Sequence, residues 1–260
     1  METTHNTILI TGGGSGIGRA LAEAFHQRGN QVIVAGRRQA ALDAVVQAHP
    51  GIRSAVLDVR DPQDIERFAD RIGADFPALN AVVNNAGIMR LEDWKAAGSI
   101  DLTTAQATIE TNLLAPIRLT AALLPQLRKQ PRATVLNVTS GLAFMTQAAT
   151  PTYSAVKAAL HAFSDALRYQ LKDTGVSVIE IVPPYVQTEL LGAKQATDPN
   201  AMPLADFTWE VMHILDTQPD VREVLVQRVL PLRFAAGQGY GEYVKRFTAF
   251  NDSFAALHAL

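Results

Sequence analysis

Thr7-Ile8-Leu9-Ile10-Thr11-Gly12-Gly13-Gly14-Ser15-Gly16-Ile17-Gly18 is the stretch that decides the fold. Thr7–Thr11 is a short, nearly continuous apolar run, the pattern of a strand buried on both faces of a parallel sheet. A helical pattern, Ile17–Arg28, follows at once. The glycines between them let the backbone turn sharply and approach a ligand closely. The free N–H groups and positive dipole end of the following helix suit a pyrophosphate. The spacing Gly12-x-x-x-Gly16-x-Gly18 differs from the common G-x-G-x-x-G, and a tight strand–helix turn can also occur without a ligand. Its place after the first strand favours the binding reading, with Gly12, Gly14, Ser15, Gly16, Ile17 and Gly18 as contacts.

The same strand-then-helix pattern repeats along the chain. Further strands are expected at Gln31–Ala35, Arg53–Asp58, Leu79–Asn84, Ala133–Thr139, Val176–Val182 and Glu223–Leu230. Helices are expected at Gln39–Ala48, Pro62–Ala74, Leu102–Arg128, Thr152–Asp173 and Leu204–Leu215. This alternation predicts an α/β fold: a Rossmann-like, doubly wound, mostly parallel sheet of seven strands with helices on both faces. Residues 1–260 read as one domain, without repeat or linker. A substrate loop and lid fall at about 188–217, and Leu190–Pro203 reads as a mobile loop. In a C-terminal helical tail at about 241–259, Val244, Phe247, Phe250, Phe254 and Leu257 form one apolar face. That face packs on its own domain or serves a subunit interface.

Composition narrows the function. Lys+Arg is 23 against Asp+Glu 25, a balance that argues against a nucleic-acid partner. The chain is 48% hydrophobic, enough for a large core. It has no cysteine, which removes disulfides, thiolate metal sites and a cysteine nucleophile. No apolar run is long enough to span a membrane. The N-terminus lacks the pattern of a secretory signal, so a cytoplasmic protein is expected. The six histidines show no metal-ligand spacing, and no catalytic metal is expected. His161 reads as a surface or interface residue, and Trp94 as surface packing. Ser15 lacks the G-x-S-x-G spacing of a hydrolase elbow.

The second strand ends Gly36-Arg37-Arg38. An NAD site commonly places a carboxylate there for the ribose hydroxyls. Gly36 has none to repel a phosphate, and Arg37 and Arg38 carry forked cations that match one. NADP(H) is therefore favoured over NAD(H); alternatively, both arginines simply start a helix in solvent. Asp58-Val59 closes the third strand, where a carboxylate could accept from an adenine amino group or serve the turn. Tyr153 and Lys157 are four apart on a helix and share a face. An adjacent ammonium favours a phenolate and lowers its pKa, making a usable proton donor and acceptor. Ser140 ends the strand before that helix, and its hydroxyl could bond a reacting carbonyl.

With the Thr11–Gly18 turn, Asn84-Asn85-Ala86-Gly87, Ser140 and the Tyr153/Lys157 pair in this order, the chain resembles the short-chain dehydrogenase/reductase family over about residues 7–190. The resemblance implies an oxidoreductase that interconverts an aldehyde or ketone with an alcohol. Tyr153 would be the general acid or base, Ser140 would polarise the substrate oxygen, and Lys157 would hold the nicotinamide ribose. Asn112, matching the family's helical asparagine, would hold a relay water through its main chain. Asn85, Ala86 and Gly87 would line the cofactor ribose. Pro183, Val186 and Thr188 match the segment that holds the carboxamide. Pro184 stands where the family commonly has glycine, and the usual Asp-Gly-Gly ending is missing, as in its bacterial DltE-like branch. The resemblance also implies a homodimer or homotetramer through the two long helices. Leu142, Phe144, Met145, Tyr185 and Leu190 would line an apolar pocket for an uncharged small-molecule substrate. The rival readings are a non-catalytic NAD(P)-binding regulator and a methyltransferase. Ser140, Tyr153 and Lys157 together argue against the first. Gly36-Arg37, where a carboxylate would be wanted, argues against the second.

Overall fold

A computed structural model describes residues 1–237 and 239–258, with the side chains of 257 and 258 outside the description. Seven parallel strands form one sheet in the order β3-β2-β1-β4-β5-β6-β7. They are β1 (Thr7–Thr11), β2 (Gln31–Gly36), β3 (Arg53–Val56), β4 (Leu79–Asn84), β5 (Ala133–Val138), β6 (Val176–Val182) and β7 (Glu223–Leu225). The strand order reverses between β1 and β4, and in such sheets ligands bind at the carboxyl ends beside that crevice.

Two apolar layers hold the helices. Successive residues of a strand face opposite ways, so Ile8 and Ile10 pack with Leu21 and Phe25 of α1 (Gly16–Gln27), Leu42 and Val45 of α2 (Gln39–Ala48), and Phe207 and Val211 of α7 (Leu204–Thr217). Leu9 packs on the other face with Phe68 and Ile72 of α3 (Pro62–Asp75) and Leu119 and Leu123 of α5 (Ala115–Leu127). Inside this core, Asn84 Nδ2 donates to Asn137 Oδ1 at 2.8 Å, and Asn137 Nδ2 donates to Ser164 Oγ at 2.8 Å. Ser164 lies on α6 (Pro151–Gln170), so a buried polar chain ties β4 and β5 to that helix.

Several elements differ from the sequence expectation. β3 ends at Val56 rather than Asp58: Leu57 N–H makes a last bond to the Gly36 carbonyl, and Asp58 then accepts from Arg60 N as the chain turns toward α3. The long helix 102–128 is α4 (Thr103–Ile109), a π turn (Glu110–Leu114) and α5. Pro116 lacks the N–H that would serve the Asn112 carbonyl in an α-helix, and Ala115 N–H bonds the Glu110 carbonyl instead. β7 stops at Leu225; Gln227–Val229 is a tight turn, and α8 (Leu230–Arg233) follows. Glu210 accepts from Gln227 N at 2.8 Å, and Val229 turns into the core. The segment read as a mobile loop is cross-bonded: Val186 and Met202 form a bridge, and the Gln195 side chain bonds Val186 O and Thr188 Oγ1.

His161 is half-buried and ion-paired. Its Nδ1 lies 3.0 Å from the wholly buried Glu180 and 3.7 Å from Glu223. Burial raises the Glu180 carboxyl, while His161 and Arg168 pull it down. Trp94 does stand exposed.

The glycine turn leaves no room for a side chain at Gly18. A Cβ there would lie 2.3 Å from Asn85 Nδ2 and 2.5 Å from the Gly12 carbonyl oxygen. Gly18→Ala is expected to destabilise by roughly 1–3 kcal/mol through overpacking. Gly73 in α3 has nothing within 4 Å, so Gly73→Ala is expected to stabilise by about 0.5–1 kcal/mol. Urea denaturation of the two variants checks the contrast.

Candidate active site

One cavity of about 960 Å³ runs along the carboxyl ends of β1, β2, β4, β5 and β6. At its first end the backbone of the glycine turn is exposed. Gly12 and Gly16 have φ of 66° and 52°, a region where a side chain is strained. Gly14, Ser15 and Ile17 also line this end, while Gly18 lies behind it against Asn85. Arg37 and Arg38 line the cavity beside Gly36, and Arg38 Nη2 donates to Ser15 Oγ at 3.2 Å. Val59 lines the wall, but Asp58 does not. Its carboxylate accepts from Arg60 N at 3.0 Å and pairs with the Arg60 guanidinium at 3.1 Å, which lowers its pKa. The structure thus gives Asp58 the turn role.

The middle of the cavity is built by β4 and its continuation. Thr11 Oγ1 accepts from Asn85 N at 3.0 Å and Ala86 N at 3.1 Å, and donates to Val83 O at 3.2 Å. Asn85, Ala86 and Gly87 therefore line the cavity directly opposite the turn to which they are tied. Asn112 stands behind them. Its Oδ1 accepts from Ile88 N at 2.9 Å and its Nδ2 donates to Ile88 O at 2.8 Å.

Ser140, Tyr153 and Lys157 meet at the far end, all three buried and lining the cavity. Ser140 caps the short turn Gly141–Ala143 by accepting from Leu142 N at 3.1 Å. Tyr153 and Lys157 come from α6. Its amino end is capped by Glu92, which accepts from Thr152 N at 3.0 Å and Thr152 Oγ1 at 2.7 Å. Lys157 Nζ donates to Val138 O at 2.7 Å and lies 5.5 Å from the Tyr153 ring centre. The expected lowering of the phenol by Lys157 is not what dominates here. Burial pushes Tyr153 up to about 12, against an opposing hydrogen bond from Ser140. Burial also pushes Lys157 down to about 8. At neutral pH the site therefore holds the phenol in its protonated form.

Of the residues expected around a substrate, Leu142, Tyr185 and Leu190 line the cavity, as do Pro183, Val186 and Thr188. Tyr185 Oη donates to Asp198 Oδ2 at 3.0 Å. Phe144 and Met145 do not line it. The Phe144 ring is held between His161 at 4.7 Å and the Arg233 guanidinium at 4.3 Å, and Met145 is buried beneath the Gly141 turn. Sequence reasoning missed Gln147, Leu232, Phe250, Ser253 and Phe254, which also line the cavity. The last three belong to α9 (Tyr240–His258). Asn251 pins this helix by accepting from Ala148 N at 2.6 Å and donating to Thr146 O at 3.1 Å. The apolar spacing of α9 did show a packed face, but not what it faces. Phe250 and Phe254 face the cavity of their own chain, and Val244 is exposed.

Sequence comparison decides the family: the description short chain dehydrogenase matches residues 6–199. The chain is a short-chain dehydrogenase. An uncharacterised oxidoreductase of Bacillus subtilis, DltE, is 41% identical over 243 residues, spanning 92% of this chain and 95% of its own. An uncharacterised oxidoreductase of Staphylococcus aureus is 29% identical over 234 residues, 87% of this chain and 98% of its own. The chain belongs to the DltE-like branch of the short-chain dehydrogenase oxidoreductases. A short-chain dehydrogenase from Streptomyces avermitilis superposes with a TM-score of 0.76 at 27% identity, over 98% of this chain and 95% of that one. One from Burkholderia cenocepacia, in complex with NADP, gives 0.81 at 22% identity over 95% and 99%, a likeness of fold.

Lys157 makes the burial of this short-chain dehydrogenase site measurable. Its pKa of about 8 in the folded chain lies below the ordinary 10.5. The unfolded chain thus binds more protons between those values, and stability rises with pH across that window. Lys157→Met removes the effect. From pH 7 to pH 10 the stability difference between the two proteins should shift toward wild type by on the order of 3 kcal/mol. Urea denaturation without cofactor at both pH values measures it; a constant difference would refute the buried ammonium.

Proposed function

We propose that the chain is an NADP(H)-dependent oxidoreductase that interconverts an aldehyde or ketone with an alcohol, using Tyr153 as general acid and base. The carrying observation is a single cavity that has the glycine turn with Arg37 and Arg38 at one end and Ser140, Tyr153 and Lys157 at the other. The residues fit a dinucleotide: Gly12 lies so close to Asn85 and Ala86 that a Cβ would meet them at 2.8–2.9 Å, and this close-packed turn leaves its backbone open to the cavity. Structural relatives from Burkholderia cenocepacia in complex with NADP and from Thermococcus sibiricus with 5-hydroxy-NADP support the same choice, although a Burkholderia phymatum relative is in complex with NAD.

Such a cofactor would supply the hydride. The chain supplies the proton and the alignment. The amide groups of the turn at the head of α1 hold the pyrophosphate. Arg37 and Arg38 bind the ribose phosphate as forked cations. Asn85, Ala86 and Gly87 line the ribose, Lys157 holds its hydroxyls, and Pro183, Val186 and Thr188 hold the carboxamide. Ser140 orients the carbonyl oxygen, and the Tyr153 hydroxyl gives that oxygen its proton as charge develops there. Burial keeps the Tyr153 phenol in its protonated form at neutral pH. Lys157 and a water on the Asn112 carbonyl return the proton; Pro116 leaves that carbonyl without its α-helical donor. The protein acts as one domain in the cytoplasm and as a homodimer or homotetramer. The exposed Leu102 and Ile109 beside α6 support self-association.

NADPH fluorescence titration and nicotinamide absorbance with a panel of aldehydes and ketones test the proposal. Tyr153→Phe should lower turnover about 10³-fold with NADPH binding largely kept. Arg37→Ser with Arg38→Ser should weaken NADPH binding about tenfold to a hundredfold and change NADH binding little. Absence of binding of either cofactor by wild type would refute the reading.

A further inference from the structure

Gln147 lies in the segment between the Ser140 turn and α6. Its backbone N–H donates to Ser154 Oγ at 3.1 Å, so it is tied to the residue that follows Tyr153. Its side chain is buried and lines the cavity. Thr150, wholly buried, donates its hydroxyl to Gln147 Oε1 at 2.9 Å. That bond occupies the oxygen end of the amide. The Nε2 end carries two N–H groups and has no hydrogen-bond partner among the described residues. Bracing the loop needs only Oε1; the amide nitrogen is left over, on a residue that lines the same cavity as Tyr153.

Its surroundings sharpen the point. Leu142, Leu190, Leu232, Phe250 and Phe254 line the same cavity. A donor that opens onto an apolar-lined cavity loses its hydration when a ligand fills the space. A ligand that offers an oxygen to this N–H keeps the bond, and one that does not leaves it unmade. Sites of this kind discriminate strongly against analogues that lack the acceptor.

We propose that Gln147 is a specificity-determining residue whose Nε2 donates to a second acceptor oxygen of the substrate, near the reacting carbonyl. The substrate class is then an otherwise apolar keto ester or hydroxyketone rather than a simple ketone. This rests on the oxidoreductase reading of the cavity.

The test compares kcat/KM with NADPH for a β-keto ester, an α-keto ester, an α-hydroxyketone and the plain dialkyl ketone of matching length. Wild type should prefer at least one acceptor-bearing compound over the plain ketone by about tenfold or more. Gln147→Leu should lower that ratio by about tenfold. Gln147→Met combined with Thr150→Val removes both hydrogen-bonding partners together and should do the same, should the first variant fold poorly. NADPH titration reports the fold of each. A ratio near one in wild type, or a ratio kept in the variants, would overturn the proposal and leave Gln147 a loop brace. If wild type binds NADPH but turns over none of the four compounds nor any of the wider panel, the oxidoreductase reading itself fails, and this assignment falls with it.

Discussion

Three stretches of backbone converge where Gly12, Gly18 and Asn85 meet, and the rest of the site depends on that approach. A Cβ on either glycine would lie within 3 Å of the Asn85 amide. The amide itself donates to Thr11 O at 2.9 Å, and the Thr11 hydroxyl takes up the N–H groups of Asn85 and Ala86. The first turn and the end of β4 are thus locked together by hydrogen bonds that only glycine lets form. The sheet reverses its order at this seam, so the lock also sets the floor of the crevice.

What leaves that floor organises the catalytic end. The chain after β4 holds Asn112 through Ile88, lines the cavity at Met89 and Arg90, and then caps α6 through Glu92. One continuous segment therefore positions the π turn, the cavity wall and the helix of Tyr153. The buried chain from Asn84 through Asn137 to Ser164 fixes the same helix from below. This rigidity comes with desolvation. It raises the Tyr153 phenol and depresses Lys157 before any ligand is bound. A close pair on a helix face suggests mutual stabilisation of ions. The geometry instead aims the ammonium at the Val138 carbonyl and lets burial set both groups.

The legible parts of the molecule are those written locally. Strand runs such as Ile8–Ile10 and Val32–Ala35 are apolar on both faces, and the turn residues Gly12–Gly18 stand together in the chain. Tyr153 and Lys157 need only a helix to bring them onto one face. Partners remote in sequence were not legible. Glu223–Leu230 reads as a strand, but Glu210 catches Gln227 and the chain turns early. Phe144 follows Ser140 closely enough to suggest a pocket residue. Its ring is drawn away by His161 from α6 and Arg233 from α8, groups that no spacing in the sequence pairs. Gln147 carried no motif, and its meaning lies in one bond to Thr150 and an unused N–H.

This division of legibility follows a division of labour. The cofactor end is made of consecutive residues on strand–helix turns, so its chemistry can pass between relatives whose overall identity is low. The far end of the cavity is assembled from the Ser140 turn, the loop after β6, α8 and α9. Leu232 and Val229 sit so close to Gly141 that a Cβ there would meet them at 2.6 and 2.9 Å. Asn251 likewise holds α9 to the backbone at Thr146 and Ala148, one residue to either side of Gln147. The C-terminal elements thus brace the segment that carries Ser140 and Gln147 while supplying Phe250 and Phe254 to the cavity. A change in α9 would therefore alter both the shape of the pocket and the aim of its donors. α9 is accordingly part of the cavity wall rather than an appendage to the sheet.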